Sequence, residues 1–241
     1  CSYIMNALGI KTSPIISVEN PASIWEHLDT NKAVQYFWLG RQPYRPIWEL
    51  QKKLHSQRVE KIIPDVVLLL EHDPVYTLGK NADSNLLLDN KPDNADVINI
   101  DRGGQVTYHG DGQLVGYPII DLHNYKMSVS WYMRNLEDVI IHCLKELGLD
   151  SYRKNNLPGV WVEDEKICAM GVRLSRWVTM HGFALNLNPD MKYFDGMIPC
   201  GIFEYGITSL YEKGIEVHME ELVKYIVSSF SMLFEENHYE V

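Results

Sequence analysis

The sequence lacks paired cysteines. Four occur in 241 residues, Cys1, Cys143, Cys168 and Cys200, and none forms a C-x-x-C pair, which excludes a zinc knuckle and a thioredoxin-like motif. Four thiols in a chain of this length make no disulfide scaffold, so a reducing compartment is expected. No run of about 18 apolar residues exists, so no membrane-spanning helix is expected. The start carries no secretory pattern, although it begins at Cys1 rather than Met. Basic residues are few: 22 Lys and Arg against 32 Asp and Glu leave a formal charge of −10. Such a chain is a poor match to nucleic acid or to an anionic membrane. Phosphate motifs are missing as well. Neither G-x-G-x-x-G nor G-x-x-x-x-G-K-[ST] occurs, which removes support for dinucleotide and Walker-type ATP binding. Without H-E-x-x-H or paired ligand spacing, no metal site and no cofactor are expected.

What remains is an ordinary globular composition, with 46% hydrophobic and 22% charged residues, long enough for one sizeable core. Residues 1–30 hold scattered Pro, Ser and Asn and are expected to form an irregular N-terminal extension ahead of a single domain over 31–241. Val34–Gly40 and Val66–Leu70 read as strands, as do Val75–Gly79 and Val97–Ile100. A helix is expected from Tyr44, with Pro46 in its first turn. Leu136, Val139, Ile140, Cys143, Leu144 and Leu147 make the clearest helical stripe, over Ser128–Gly148, with Ser128 or Ser130 as cap and Gly148 past its end. Two strands lie in Gly159–Val172, another in Val178–Leu187, and a last helix carries Leu222, Ile226, Phe230 and Leu233. Without a regular βαβ rhythm, the fold class is α/β (α+β): one domain with a mixed β-sheet flanked by helices.

The densest unusual segment is Asp101–Gly116, with five glycines, an Arg, a His and two Gln in sixteen residues. Glycines let a backbone pass close to a ligand and expose its N–H donors. A tight hairpin is the plainer alternative, because Gly103-Gly104 and Asp111-Gly112 are good turn pairs. Cys200, between Pro199 and Gly201, is the best nucleophile candidate, since Cys143 lies on an apolar helix stripe and Cys1 is terminal. Cys168 is its rival. Strand alternation puts Lys166, Cys168 and Met170 on one face. A free thiol is mostly protonated at neutral pH, so a nucleophile needs a neighbouring cation or base, for which His109, His181 and Lys166 are candidates.

Together these pieces resemble the lipoyl(octanoyl) transferase family, also called octanoyltransferase or lipoate-protein ligase B. The matching residues run in order from Glu71-His72-Asp73-Pro74-Val75-Tyr76-Thr77-Leu78-Gly79 through Asp101–Gly110 and Gly159-Val160-Trp161-Val162. They continue with Lys166, Gly171-Val172-Arg173, His181-Gly182-Phe183-Ala184-Leu185-Asn186 and Pro199-Cys200-Gly201. The resemblance covers roughly residues 34–210. It implies a domain similar to the catalytic domains of biotin and lipoate protein ligases, occupying 31–241. It implies octanoyl transfer from octanoyl-acyl carrier protein to a lysine of lipoyl domains, those of 2-oxoacid dehydrogenases and the glycine cleavage H protein. It implies Cys200 as the residue carrying the acyl thioester and Lys166 as its activator. The acyl site would be lined by Arg102, Gly103, Gly104, Gln105, Val106, Thr107, Tyr108 and His109, by Ala169, Met170 and Gly171, and by Gly182, Phe183 and Ala184. No cofactor, nucleic acid or membrane is implied. A monomer in the cytoplasm is expected, or in an organelle matrix if the chain is a processed eukaryotic form.

The rivals are an ATP-dependent ligase of the same fold, a Cys-dependent amidotransferase or hydrolase, and a non-catalytic acyl-binding module. One position departs from the family: Asp111 stands where the family has proline, and its carboxylate is expected to favour the charged form of His109. Because acyl carrier proteins are typically acidic, a local basic patch is also expected, drawn from Arg41, Arg45, Lys52, Lys53, Arg58, Arg153, Lys154, Arg173 and Arg176.

Overall fold

A computed structural model describes residues 13–198 and 205–235. A nine-stranded mixed sheet forms the centre. Its strands are β1 (Ile15–Ser17), β2 (Val34–Gln42), β3 (Asp65–His72), β7 (Gln113–Ile119), β11 (Val178–Asn186), β10 (Glu165–Ser175), β9 (Leu157–Val162) and β8 (Tyr152–Lys154), in that spatial order, with β12 (Gly206–Ile207) beside β10. A second, three-stranded sheet is ordered β5 (Asp96–Asn99), β4 (Val75–Leu78), β6 (Val106–His109). The helices are α1 (Tyr44–Val59), α2 (Val129–Glu146) and α3 (Met219–Phe234). The fold is therefore mixed α/β, as the element pattern implies.

Both faces of the large sheet are buried, which is why β3 reads as a continuous apolar run. Val67 and Leu69 face a core built with α2 and α3 through Leu136, Ile140, Ile226 and Phe230. Val66, Leu68 and Leu70 face a second core built with α1 through Ile47, Leu50 and Leu54. The helix ends follow local chemistry. The Ser128 hydroxyl accepts from Trp131 N at the start of α2, and Gly148 follows its end at φ +82°, a conformation that suits glycine.

The structure corrects two expectations. Residues 13–30 are not an irregular extension. β1 pairs in parallel with β2, and a 3-10 turn over Pro21–His27 buries Ile24 completely in the α1-side core. Three residues of strand carry too little periodicity to be read from sequence, and the apolar anchors Val18 and Ile24 sit among turn-forming neighbours. Nor does the glycine-rich segment close a hairpin. β6 pairs with β4, while β7 pairs with β3 and β11. Asp111-Gly112 is a turn, with Gln113 N donating to Gly110 O, but it hands the chain from the small sheet to the large one. This separation opens the cleft described next.

Candidate active site

Between the two sheets lies a cleft with two adjoining lobes, a smaller one lined by Tyr44, His109, Tyr117 and His181 and a larger one lined by Lys166, Met197 and Ile207. Arg102, Thr107, Ala169 and Met170 line both lobes. The floor is made of small residues paired across β10 and β11, Ala169 opposite Ala184 and Gly171 opposite Gly182. The two glycines let the loop and β7 approach closely. A Cβ on Gly171 would come within 3.2 Å of Arg102 Cδ and Gly103 O, and one on Gly182 within 2.2 Å of Gly116 O.

The glycine-rich loop forms the opposite wall. Gly103 N donates to Val172 O on β10 at 3.3 Å. The Arg102 guanidinium donates to Gly103 O at 2.8 Å, Thr77 O at 3.0 Å and Thr77 Oγ1 at 2.9 Å. Asp101 receives His181 Nε2 at 3.0 Å and also pairs with Arg173. The His181 hydrogen bond, reinforced by the nearby Arg173 charge, lowers the Asp101 carboxyl to about 2. His181 takes φ +57°, which interrupts the alternation of β11 and turns the imidazole toward Asp101.

Lys166 lines the larger lobe. It is buried, its ammonium lies 4.9 Å from the Trp161 ring centre, and its stem packs on Gly159. A Cβ there would touch Lys166 Cε at 3.4 Å and Cys168 O at 2.5 Å. Simple alternation fails at this point. The pairing of β10 with β9 slips between Lys166 and Cys168, where Lys166 opposes Trp161 and Cys168 opposes Val160. This bulge separates the two residues expected to share a face. Lys166 faces the cleft, while Cys168 enters the core with Val160 and Leu185. Burial there pushes the Cys168 thiol well up, which disfavours the thiolate that a nucleophile needs.

At the smaller lobe His109 is buried and neutral. Burial, with His72 nearby, pushes it down to about 3, and burial pushes His72 down to about 4. Asp111 does not charge His109 as expected. Its carboxylate swings to the surface and pairs with Arg41 at 2.7 Å. The neutrality of His109 has a measurable sign. The unfolded imidazole binds a proton below about 6.5 whereas the folded one resists until about 3, so this contribution to stability is full above the unfolded value and is lost as pH falls toward the folded one. His109→Gln is expected to reduce the acid-side slope of unfolding free energy by about 1.4 kcal/mol per pH unit between about pH 6 and about pH 4. Urea titrations at several pH values check this; equal slopes would mean a protonated His109 in the folded chain.

The cleft thus gathers Lys166 and the residues expected around an acyl chain: Arg102, Gly104, Gln105, Val106, Thr107, Tyr108, His109, Ala169, Met170, Gly171, Gly182, Phe183 and Ala184. Gly103 acts instead as a tie to β10. Cys1 and Cys200 lie outside the described residues. The expected basic patch is largely consumed by ion pairs. Arg58 is buried between Asp65 and Asp121, Arg41 pairs with Asp73 and Asp111, and Lys52, Arg153, Lys154 and Arg173 each have a carboxylate partner. Sequence reading missed Tyr44 and Tyr117 in the smaller lobe, and Phe194, Met197 and Ile207 in the larger. Each looks like ordinary core in its own segment, and only the packing of the two sheets brings it to the cleft.

Among the described residues no helix is long and apolar enough to cross a membrane. Residues 43–231 match the family model of the lipoyl protein ligase A/B catalytic domain. An octanoyltransferase of Flavobacterium johnsoniae is 46% identical over 85% of this chain and 98% of its own. The fold is similar to that of a lipoate protein ligase from Thermoplasma acidophilum with bound lipoic acid, at a TM-score of 0.64 and 14% identity over 81% of this chain and 84% of that one. It is also similar to a biotin protein ligase from Aquifex aeolicus in complex with biotin and ATP, at a TM-score of 0.53 and 15% identity over 87% and 73% of the two chains. The extent of the family match and the identity to its curated relatives show that the chain belongs to the octanoyltransferase family, whose members are acyltransferases.

Proposed function

We propose that this chain transfers an octanoyl group from octanoyl-acyl carrier protein to a lysine of lipoyl domains, through a thioester on Cys200. The acceptors in this reading are the lipoyl domains of 2-oxoacid dehydrogenases and the glycine cleavage H protein. The observation that carries it is Lys166, a buried lysine that lines the cleft beside the glycine-rich loop. Lysine is rarely buried, and here it lines a lobe together with Val106, Met170, Met197 and Ile207, which suits the apolar chain of an acyl group. Met197 and Ile207 line this lobe, and chain connectivity tethers Cys200 to Met197, three residues before it.

The chemistry balances without ATP. The Cys200 thiolate attacks the carbonyl carbon of the donor thioester. The carbon–sulfur bond to the carrier breaks, and the carrier thiolate takes a proton from the Lys166 ammonium. The acceptor amine, arriving neutral, then attacks the new thioester. The bond to Cys200 breaks, an amide forms, and Lys166 recovers a proton from the amine. Arg102, the loop through His109, and the floor from Ala169–Gly171 and Gly182–Ala184 would hold the acyl group meanwhile.

Incubation with octanoyl-acyl carrier protein and an unmodified lipoyl domain, without nucleotide, is expected to add one octanoyl group to the acceptor, read by intact mass. Modification only from free octanoate and ATP would overturn the reading in favour of a ligase.

A further inference from the structure

The smaller lobe is polar in a way that a plain hydrocarbon tail does not explain. Tyr44, Arg102, Thr107, His109, Tyr117 and His181 all line it. Their hydrogen-bond directions can be assigned from the ends of the network inward. The Asn186 amide nitrogen donates to Thr208 O at 3.0 Å, so its Oδ1 is the group that accepts from Gln113 Nε2 at 3.1 Å. Gln113 Nε2 also donates to Tyr108 O, which leaves Gln113 Oε1 as the acceptor for His109 Nδ1–H at 2.8 Å. In neutral His109 the other nitrogen, Nε2, therefore carries a lone pair, and no partner for it exists among the described residues.

The same logic fixes two neighbours. His72 Nδ1–H donates to Gln42 O at 2.9 Å, so His72 Nε2 accepts the Tyr117 hydroxyl at 2.7 Å, and the Tyr117 oxygen is paired with the Tyr44 hydroxyl. His181, held neutral by burial, donates Nε2–H to the Asp101 carboxylate and keeps its lone pair on Nδ1. His109 and His181, both lining this lobe, thus offer acceptor nitrogens while their own protons are committed elsewhere. Methylenes packed against them would leave desolvated acceptors without donors, a net cost.

We propose that the lobe bearing His109 and His181 is a subsite for a hydrogen-bond donor at the far end of the acyl chain, so that ω-hydroxyacyl groups are ligands of this cleft. The inference rests on the acyl-transfer reading, with the reacting end at Lys166 and the tail toward His109. It assigns His109 a specificity role: its Nε2 receives the ω-hydroxyl, and Gln113 holds the tautomer that makes this possible.

The test compares 8-hydroxyoctanoyl with nonanoyl, a chain of equal length that lacks the donor. In the wild type, transfer of the 8-hydroxyoctanoyl group from the carrier thioester is expected to exceed that of nonanoyl by about tenfold. In His109→Leu the ratio is expected to fall to about one. The ratio is internal to each protein, so partial loss of folding lowers both rates and leaves it intact. Calorimetric binding of 8-hydroxyoctanoic and nonanoic acids to the wild type and the variant makes the same comparison without turnover. A wild-type ratio of one or below, or a ratio unchanged in His109→Leu, would overturn the proposal. Failure of octanoyl transfer itself would sink the acyl-transfer reading instead, while the binding ratio would still decide the subsite.

Discussion

Cys200→Ala is expected to lower acyl transfer by a factor of about 10³ or more, whereas Cys168→Ala keeps it within about tenfold. Both residues are thiols in the matched region, and sequence alone left them as rivals. Physical chemistry separates them. Cys168 is fully buried among Val160, Leu185 and Phe183, and its thiolate would have to form in an apolar core. Cys143 faces the same obstacle on the buried stripe of α2. Burial pushes both thiols well up. In the transfer reading the nucleophile is Cys200, which the family resemblance assigns to the acyl thioester. Intact mass after mixing with octanoyl-acyl carrier protein checks this directly. An octanoyl adduct should form on the wild type and on Cys168→Ala, and be absent from Cys200→Ala; thermal melts confirm that each variant is folded. An adduct that survives in Cys200→Ala, or that disappears with Cys168, would assign the nucleophile elsewhere.

The two thiols also mark where sequence reading stops. Buried strands announce themselves by composition, so Val66–Leu70 and Val178–Leu187 are legible, and the stripe on α2 fixes both its ends within a residue or two. The glycine-rich loop is legible as something other than a plain turn because its turn pairs flank Thr107, Tyr108 and His109, which line the cleft. Events that depend on a partner strand are not. The bulge after Lys166 is created by the pairing with β9, and one slipped residue reverses every later side chain. The parting of β6 and β7 into different sheets has no local signal either, since Asp111-Gly112 would make an equally good hairpin turn. Charge state follows the same rule. Asp111 is two residues from His109, yet it pairs with Arg41 from β2, while His109 is governed by its burial between sheets.

The bulge gives Lys166 its own prediction. Lys166→Met is expected to reduce transfer by a factor of about 10²–10³, with the loss in kcat rather than in KM for the carrier. Methionine keeps the stem that packs on Gly159 and removes only the charge and its protons, so the fold should persist. A thermal melt checks that the variant is folded. Lys166→Arg keeps the charge but not the point geometry. Its planar fork does not give up a proton near neutral pH. It should therefore support the first step better than the second: the acyl adduct on the enzyme accumulates, and transfer to the lipoyl domain stalls. Rapid mixing with mass detection of enzyme and acceptor separates the two steps. Stabilising the thiolate is a purely electrostatic task that either cation performs, whereas recovering a proton from the incoming amine requires a group that can lose one. If Lys166→Arg turned over as fast as the wild type, Lys166 would be only a counter-charge, and the proton handling would have to lie with another group at the cleft. If Lys166→Met kept full activity, neither task would belong to this lysine.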